Sequence, residues 1–158
     1  MNRIKIGQIG IGNGHAPRKI VPFLKSTRDD GVKDNSLAVL EYPGATAAIR
    51  TCSAEVEGMK HRRLIVCGTR GNFELCPLEP PAHRYNLDPL HARLTLLEGN
   101  EEYSAGTHII NCGVMNGRYA DQMIELARVI KGEIRNPYSY DHELAVHRTH
   151  LAACGYLQ

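Results

Sequence analysis

The stretch Ser36-Leu37-Ala38-Val39-Leu40-Glu41-Tyr42-Pro43-Gly44-Ala45-Thr46-Ala47-Ala48-Ile49-Arg50 decides the fold. Two strand-like runs, Ser36–Tyr42 and Ala45–Ser53, are separated only by Pro43-Gly44. Proline presets φ at the first central position of a turn, and glycine accepts a positive φ at the second. The stretch therefore predicts a β-hairpin.

Further strands are predicted on both sides of this hairpin. Ile20–Lys25 contains Pro22, which a helix interior does not tolerate, so we expect an edge or first strand there. On the C-terminal side, Arg62–Cys67 and Asn72–Cys76 are predicted to form a second hairpin around Gly68-Thr69-Arg70-Gly71. The stretch 77–89 is predicted to be an irregular excursion across the surface. Arg93–Leu97 is predicted to be a further strand, and Thr107–Ile110 an edge strand.

The last third of the sequence changes to a helical period. Tyr119, Met123, Leu126 and Ile130 recur at helical spacing, and Lys131-Gly132 has the cation and glycine typical of a helix C-terminus. A second helix is predicted to begin after Pro137, with Ser139 or Asp141 near its start. Strands followed by helices predict an α+β fold with an open-faced, mostly antiparallel sheet and helices packed on one face.

Composition excludes several classes of function. The net charge of +2 and the absence of a Lys/Arg block argue against nucleic-acid binding. No apolar run approaches the roughly 20 residues of a membrane span, and the N-terminus lacks a secretory apolar region. The five cysteines are scattered and odd in number, which favours reduced thiols. These features predict a cytoplasmic protein that contacts neither membrane nor nucleic acid.

A glycine turn near the N-terminus resembles the start of a dinucleotide fingerprint. Residues 3–9 read as a strand, and Gly10-Ile11-Gly12-Asn13 follows it directly. Such a turn lets the backbone approach a pyrophosphate, so Gly10, Gly12 and Asn13 are the candidate cofactor-binding residues. His15 occupies the place of the third glycine of G-x-G-x-x-G.

The residues after this turn are too few for a nucleotide-binding unit. A βαβ unit takes about 30 residues or more, whereas seven residues, Asn13 to Lys19, precede the next strand-like run. Asp29 and Asp30 lie at a plausible distance for a ribose contact but have no parallel strand to carry them. We therefore expect residues 3–9 and the turn to be a remnant of a Rossmann domain.

Most of the chain resembles the C-terminal domain of the Gfo/Idh/MocA family of oxidoreductases. The resemblance rests on the order and spacing of five segments: Phe23–Lys25, Asp34–Ala45, Arg63–Glu74 with its Gly68-Thr69-Arg70-Gly71 turn, the helix from Gly117 to Glu133, and the closing helix Tyr138–Arg148. It implies a remnant of the dinucleotide-binding domain over 1–16 and a substrate and oligomerisation domain over 17–158.

The resemblance also implies a function. Family members are NAD(P)-dependent enzymes whose sheet domain walls the substrate site and pairs with a second copy, so it implies NAD or NADP as cofactor, a sugar-like substrate and a homo-oligomer formed through the sheet face. The family's catalytic Glu-Lys-Pro and D-x-x-x-H motifs do not occur here. We therefore expect no catalytic residue, no cofactor bound by this chain alone and little or no dehydrogenase activity. A non-enzymatic oligomerising sheet module is the alternative.

Other candidate residues follow from chemistry alone. Substrate hydroxyls could be met by Arg50, Arg63, His108 or Tyr119, among which the sequence does not choose. Two weaker hypotheses are a metal site on the closing helix (His142, His147 and His150) and a nucleophilic pair (Cys112 and His108). No carboxylate or cysteine completes the histidine set at the right spacing, so no metal is expected, and a buried structural cysteine is a more common role for Cys112 than that of a nucleophile.

Overall fold

The structure, a computed structural model, describes residues 16–81 and 85–157. The chain divides into two compact units: unit 1 contains residues up to Val56 and those from Arg135 onward, and unit 2 contains Glu57–Ile134. The elements are, in chain order, β1 Lys19–Lys25, β2 Asn35–Tyr42, β3 Ala45–Cys52, α1 Gly58–His61, β4 Leu64–Cys67, β5 Gly71–Leu75, β6 Pro89–Leu96, β7 Gly106–Val114, α2 Ala120–Ile130 and α3 Tyr140–Ala153.

Unit 1 contains a three-stranded antiparallel sheet in the order β1-β2-β3. The hairpin predicted around Pro43-Gly44 is confirmed, with Tyr42 paired to Ala45. The positive φ expected at Gly44 is not adopted, so the turn does not use that freedom of glycine. The prediction of an edge strand around Pro22 is also confirmed, because β1 lies at the edge of the sheet and pairs only with β2. Proline is tolerated there because an edge strand leaves one row of backbone positions unpaired.

Two features support this sheet. Ala38 and Leu40 of β2 are its buried apolar residues, and α3 packs against β1. The helix begins where the sequence predicts, because the side-chain oxygen of Ser139 accepts a hydrogen bond from the backbone N–H of His142 at 3.1 Å. A serine in this position satisfies one of the amide groups left free at a helix start.

Asp34 is a buried carboxylate that holds the loop between β1 and β2. It accepts hydrogen bonds from the backbone N–H of Thr27 at 2.7 Å and from the Thr27 hydroxyl at 2.6 Å. These bonds, with the nearby Arg28, keep the pKa of Asp34 below its usual value of 3.8. These donors favour the charged form of the carboxylate, and the two bonds join the start of the loop at Thr27 to its end at Asp34.

Unit 2 contains a four-stranded antiparallel sheet in the order β4-β5-β6-β7. The second hairpin, around Gly68–Gly71, is confirmed, as is the edge strand around Thr107–Ile110. β6 begins at Pro89, earlier than the predicted Arg93. β7 is long as well, and Cys112 is the extra residue of a bulge between the pairs His91–Asn111 and Leu90–Gly113.

One face of this sheet carries the core of unit 2. Leu75, Ala92 and Ile110 are buried on it, in one row across β5, β6 and β7. Four partly buried side chains pack around them: Phe73, Leu90, Leu94 and Tyr103. The segment after β5 is less superficial than predicted, because Glu79 and Pro80 within it are buried. The core of unit 2 is small, with three buried residues in its cluster.

The helix α2 has the predicted amphipathic pattern, but its apolar stripe is exposed. Tyr119, Met123, Leu126 and Ile130 are each more than half accessible to solvent. The short helix α1 was not predicted from the sequence, and its four residues carry too little periodicity to be recognised.

The α+β class and the antiparallel pairing are confirmed, with the strands divided between two sheets. The predicted first strand over residues 3–9 lies outside the described residues. In the described ranges, no helix has both the length and the apolar character that a membrane crossing requires.

The close approach of two strands requires a glycine at position 71. A Cβ atom at this position would lie 2.5 Å from the carbonyl oxygen of Thr95, an atom of the neighbouring backbone that cannot swing aside. We expect Gly71→Ala to destabilise unit 2 by about 1–3 kcal/mol, because β5 and β6 must separate to admit the methyl group. Thermal unfolding followed by circular dichroism measures this loss.

Gly44→Ala is the matched control, since a Cβ atom there has no neighbour within 4 Å. Its melting temperature should remain within about 2 °C of the wild type, as for most surface substitutions. Equal melting temperatures for the two variants would contradict the steric argument.

Candidate functional site

Glu79 is the centre of a polar cluster in unit 2. Its side chain is 9% exposed and lies in the segment that follows β5. Arg118 donates to it from two atoms, Nε to Oε2 at 2.8 Å and Nη2 to Oε1 at 2.6 Å. Nη1 of Arg62 donates to the same Oε1, and the Tyr85 hydroxyl donates to Oε2 at 3.1 Å. Each carboxylate oxygen therefore accepts two hydrogen bonds.

The electrostatics of the cluster favour the charged forms of its members. The bonds from Arg118, Tyr85 and Arg62 lower the pKa of Glu79 and outweigh the opposing effect of burial. The pairing also raises the pKa of Arg118. A carboxylate enclosed by charged donors stays ionised at neutral pH. The cluster thus holds two positive charges and one negative charge.

The cluster joins segments that are distant in sequence. Arg62 lies just before β4, Glu79 follows β5, and Arg118 comes just before α2. Backbone hydrogen bonds run beside it, from Leu78 N–H to the Arg62 carbonyl at 2.7 Å and from Asn86 N–H to the Met115 carbonyl at 3.0 Å. These backbone bonds hold the three segments together next to the cluster.

The sheet face opposite the core of unit 2 is exposed and has an ordered pattern. One row across the four strands reads Ile65, Glu74, Arg93, Ile109, because these residues are successive cross-strand partners. Nη1 of Arg93 lies 3.7 Å from Oε2 of Glu74. The two isoleucines at the ends of the row are 50% and 66% exposed. The row thus has a charge pair at its centre and apolar side chains at both ends.

The next row on the same face is polar and uncharged. It reads Cys67, Asn72, Thr95, Thr107, and the hydroxyls of the two threonines are 3.0 Å apart. Together the two rows form a flat surface, which we call the open face. An open face with apolar ends and an internal ion pair is suited to pairing with another surface rather than to enclosing a small molecule.

A shallow groove of about 470 Å³ lies at the turn between β4 and β5. Its floor is apolar and includes Val66, Phe73, Leu94 and Leu96. Polar residues also line it, among them Arg70, Glu98 and Asn100.

The predicted cofactor residues Gly10, Gly12 and Asn13 lie outside the described residues. Of the two aspartates considered for a ribose, Asp30 belongs to the loop between β1 and β2. There its carboxylate lies 2.8 Å from Nη2 of Arg28 and accepts a hydrogen bond from the backbone N–H of Val32 at 3.0 Å. These contacts give Asp30 a local structural role.

The four candidate substrate residues are divided between the two units. Arg50 is in unit 1, where Nη1 lies 3.2 Å from the carboxylate of Glu55. In unit 2, Arg63 is exposed before β4, and Nε2 of His108 lies 2.8 Å from the Ser104 carbonyl oxygen. Tyr119 is exposed beside Arg118, whose guanidinium lies 6.0 Å from the centre of its ring.

The histidine and cysteine hypotheses gain no support. Within residues 16–81 and 85–157, no three His, Cys, Asp or Glu side chains come together in a way that could hold a metal ion. His150 instead lies near Cys154, with Nε2 and Sγ 3.8 Å apart. Cys112 directs its thiol at the carbonyl of Ile110, at 3.8 Å, rather than at His108.

Sequence inspection missed the Glu79 cluster. The one available signal was a carboxylate inside the proline-rich stretch Cys76-Pro77-Leu78-Glu79-Pro80-Pro81, where a charge needs a partner if the segment is buried. Its partners are 17 and 39 residues away for Arg62 and Arg118. Contacts at such separations follow no periodicity, so the sequence alone does not identify them.

Comparisons with known proteins give one match. No protein-family model and no curated protein matches the chain. Among solved structures, the chain is similar to a protein from Yersinia pestis described as a "putative oxidoreductase", with a TM-score of 0.55 and 18% sequence identity. The match covers 89% of this chain and 42% of the other. The likeness shows the fold, and the chain spans less than half the length of that protein.

Proposed function

We propose that this chain is the substrate-facing, self-associating sheet domain of an NAD(P)-dependent oxidoreductase of the Gfo/Idh/MocA type. The observation that carries the proposal is its fold likeness to part of a longer protein described as an oxidoreductase. The segments that resemble the family, from Phe23 to Arg148, occupy both units. The proposed cofactor is NAD or NADP, and the proposed substrate is a sugar or cyclitol.

Hydride transfer requires more than this sheet domain supplies. It needs a bound nicotinamide, a carbinol carbon beside it, and a group that moves the hydroxyl proton. The family motifs for proton transfer do not occur in the sequence. β1 begins at Lys19, so too few residues separate it from Gly12 to form a crossover helix. In this proposal the chain has little or no dehydrogenase activity by itself.

The groove at the β4–β5 turn is the proposed contact for substrate. Its apolar floor suits the C–H face of a sugar ring, and Arg70 and Asn100 at its border carry N–H groups that can donate to hydroxyl oxygens. The groove is open to solvent, consistent with a wall that needs a second surface to enclose a substrate.

Titration with NADH tests the cofactor part of the proposal. We expect no saturable change of cofactor fluorescence at micromolar concentrations of the purified chain, because the glycine turn lacks the layer that completes a nucleotide site. Saturable micromolar binding would contradict this expectation. In that event Gly12→Val should abolish binding while leaving the oligomeric state unchanged, since a side chain there keeps the backbone away from a pyrophosphate.

The open face supports the proposed self-association. A twofold axis parallel to the strands and between β5 and β6 would place Glu74 opposite Arg93 of a second copy, and Ile65 opposite Ile109 of that copy. Such an axis makes the row self-complementary, as an isologous interface requires. The same argument supports the alternative function, a non-enzymatic oligomerising module. Sedimentation velocity of the wild-type chain tests both, and a monomer at high concentration would contradict both.

A further inference from the structure

We infer that Arg62, oriented by Glu79, forms a binding site for one oxyanion group, the phosphate or carboxylate of a small molecule. This site lies outside the sheet face and groove described above. It goes beyond the proposed function and does not depend on it.

The first argument is the hydrogen-bonding pattern of the two arginines. The Nε and Nη2 groups of Arg118 form one edge of its guanidinium, and both donate to the carboxylate of Glu79. Arg62 uses only Nη1 on Glu79. No acceptor among residues 16–81 and 85–157 meets its other edge, Nε and Nη2. This edge of a guanidinium is the fork that binds carboxylate and phosphate oxygens in pairs.

The second argument is charge. Glu79 balances one of the two guanidinium charges, so the cluster keeps one positive charge. The charge of the nearby Lys60 is met by Glu57 at 2.6 Å and adds nothing to it. The surroundings of Arg62 therefore carry a surplus of positive charge, which lowers the free energy of a bound anion.

The third argument is preorganisation. An arginine on a free surface loses side-chain entropy when it binds a ligand, and this loss weakens binding. Arg62 is half exposed, yet its Nη1 is held by a buried carboxylate that Arg118 and Tyr85 also fix. The Arg62 fork is thus accessible and already oriented.

Titration with inorganic phosphate and, separately, with acetate tests the inference. The readout is the Nε–Hε signal of Arg62 in a proton–nitrogen correlation spectrum, recorded at constant ionic strength. We expect a saturable shift for at least one anion. A response to phosphate alone assigns the site to phosphate esters, and a response to acetate alone assigns it to carboxylates. Absence of a saturable shift with both anions overturns the inference.

Three variants distinguish bidentate binding by Arg62 from a general attraction of anions to positive charge. Arg62→Gln and Arg62→Lys should each lower the affinity for the anion about tenfold or more. The lysine variant should do so because an ammonium group lacks the paired donors of a guanidinium. Affinity in these variants is read from backbone amide signals near residue 62. Arg63→Gln removes the same charge one residue away and should leave the affinity within about twofold. Equal weakening by Arg62→Gln and Arg63→Gln, or full affinity in Arg62→Lys, overturns the bidentate site.

These substitutions preserve the fold in our interpretation. Without Arg62, Glu79 still accepts the paired bonds of Arg118 and the bond of Tyr85. An unchanged pattern of the remaining amide signals confirms this point for each variant, so a loss of affinity is attributed to the site.

Discussion

Glu79→Gln should lower the free energy of unfolding of unit 2 by about 2 kcal/mol at pH 7, since the substitution leaves two guanidiniums without their shared carboxylate. The arginines are 50% and 43% exposed, so water compensates part of the loss and the effect remains below that of a fully buried pair. For a unit of this size, the melting temperature should fall by roughly 10 °C. Calorimetry or urea denaturation at pH 7 measures the difference.

Glu74→Gln is the control for this prediction. Glu74 has an arginine partner at 3.7 Å on the exposed sheet face, and such pairs contribute little. Its free energy of unfolding should stay within about 0.5 kcal/mol of the wild type. A Glu74→Gln variant that is as unstable as Glu79→Gln would contradict a special role for the buried carboxylate.

The effect of Glu79 should depend on pH in a defined direction. Its pKa in the folded protein is lower than the ordinary value of 4.5. As the pH falls below that value, the unfolded chain takes up a proton first, so the stability that Glu79 contributes is lost toward acid. The difference between wild type and Glu79→Gln should therefore be full above about pH 5 and shrink as the pH falls toward 3. A constant difference over this range would contradict the assignment.

Ile109→Lys should abolish self-association at concentrations where the wild type is oligomeric. In a symmetric pair the substitution acts twice, and each exposed isoleucine buries enough apolar surface that the two together contribute about 3 kcal/mol, or roughly 100-fold in the dissociation constant. Sedimentation equilibrium measures this change. Ile109 is 66% exposed, so unfolding of the single chain should be little affected.

Ile130→Lys on α2 is the matched control, because Ile130 is also highly exposed but does not lie on the open face. It should leave the dissociation constant unchanged. If Ile130→Lys dissociates the protein and Ile109→Lys does not, the helix rather than the sheet is the interface.

Charge reversal tests the register of the proposed pairing. Glu74→Arg and Arg93→Glu each place like charges opposite one another across the twofold axis and should weaken association. The double variant restores opposite charges and should regain most of the affinity. The same exchange at Arg128 and Glu133, a pair outside the sheet, should have no effect.

Local structure was predictable where local chemistry determines it. Pro43-Gly44 specifies a turn by its backbone preferences, and β2 and β3 pair around it as predicted. Pro22 excludes a helix and an inner strand, and β1 lies at an edge. The helix after Ser139 begins with the side-chain cap that serine favours. Each of these features depends on residues within a few positions of each other.

The candidate sites were less predictable. The glycine turn at Gly10 and Gly12 is a sequence pattern that stays a prediction, as does the loss of a nucleotide-binding layer. The helical period around Met123 correctly predicted α2. The helix was also expected to pack its apolar stripe on the sheet, but the residues of that stripe are exposed to solvent. Periodicity identifies an apolar face without identifying what covers it.

The sequence by itself determined the strands, the two hairpin turns, the two long helices and the α+β class, because backbone preferences and apolar spacing act over short distances. Only the tertiary structure decided that Glu79 joins Arg62 and Arg118, and that Ile65, Glu74, Arg93 and Ile109 form one row. The physical reason is that ion pairs and cross-strand neighbours depend on the register and path of the chain in space. Residues far apart in sequence become partners only when the backbone brings them within hydrogen-bonding distance.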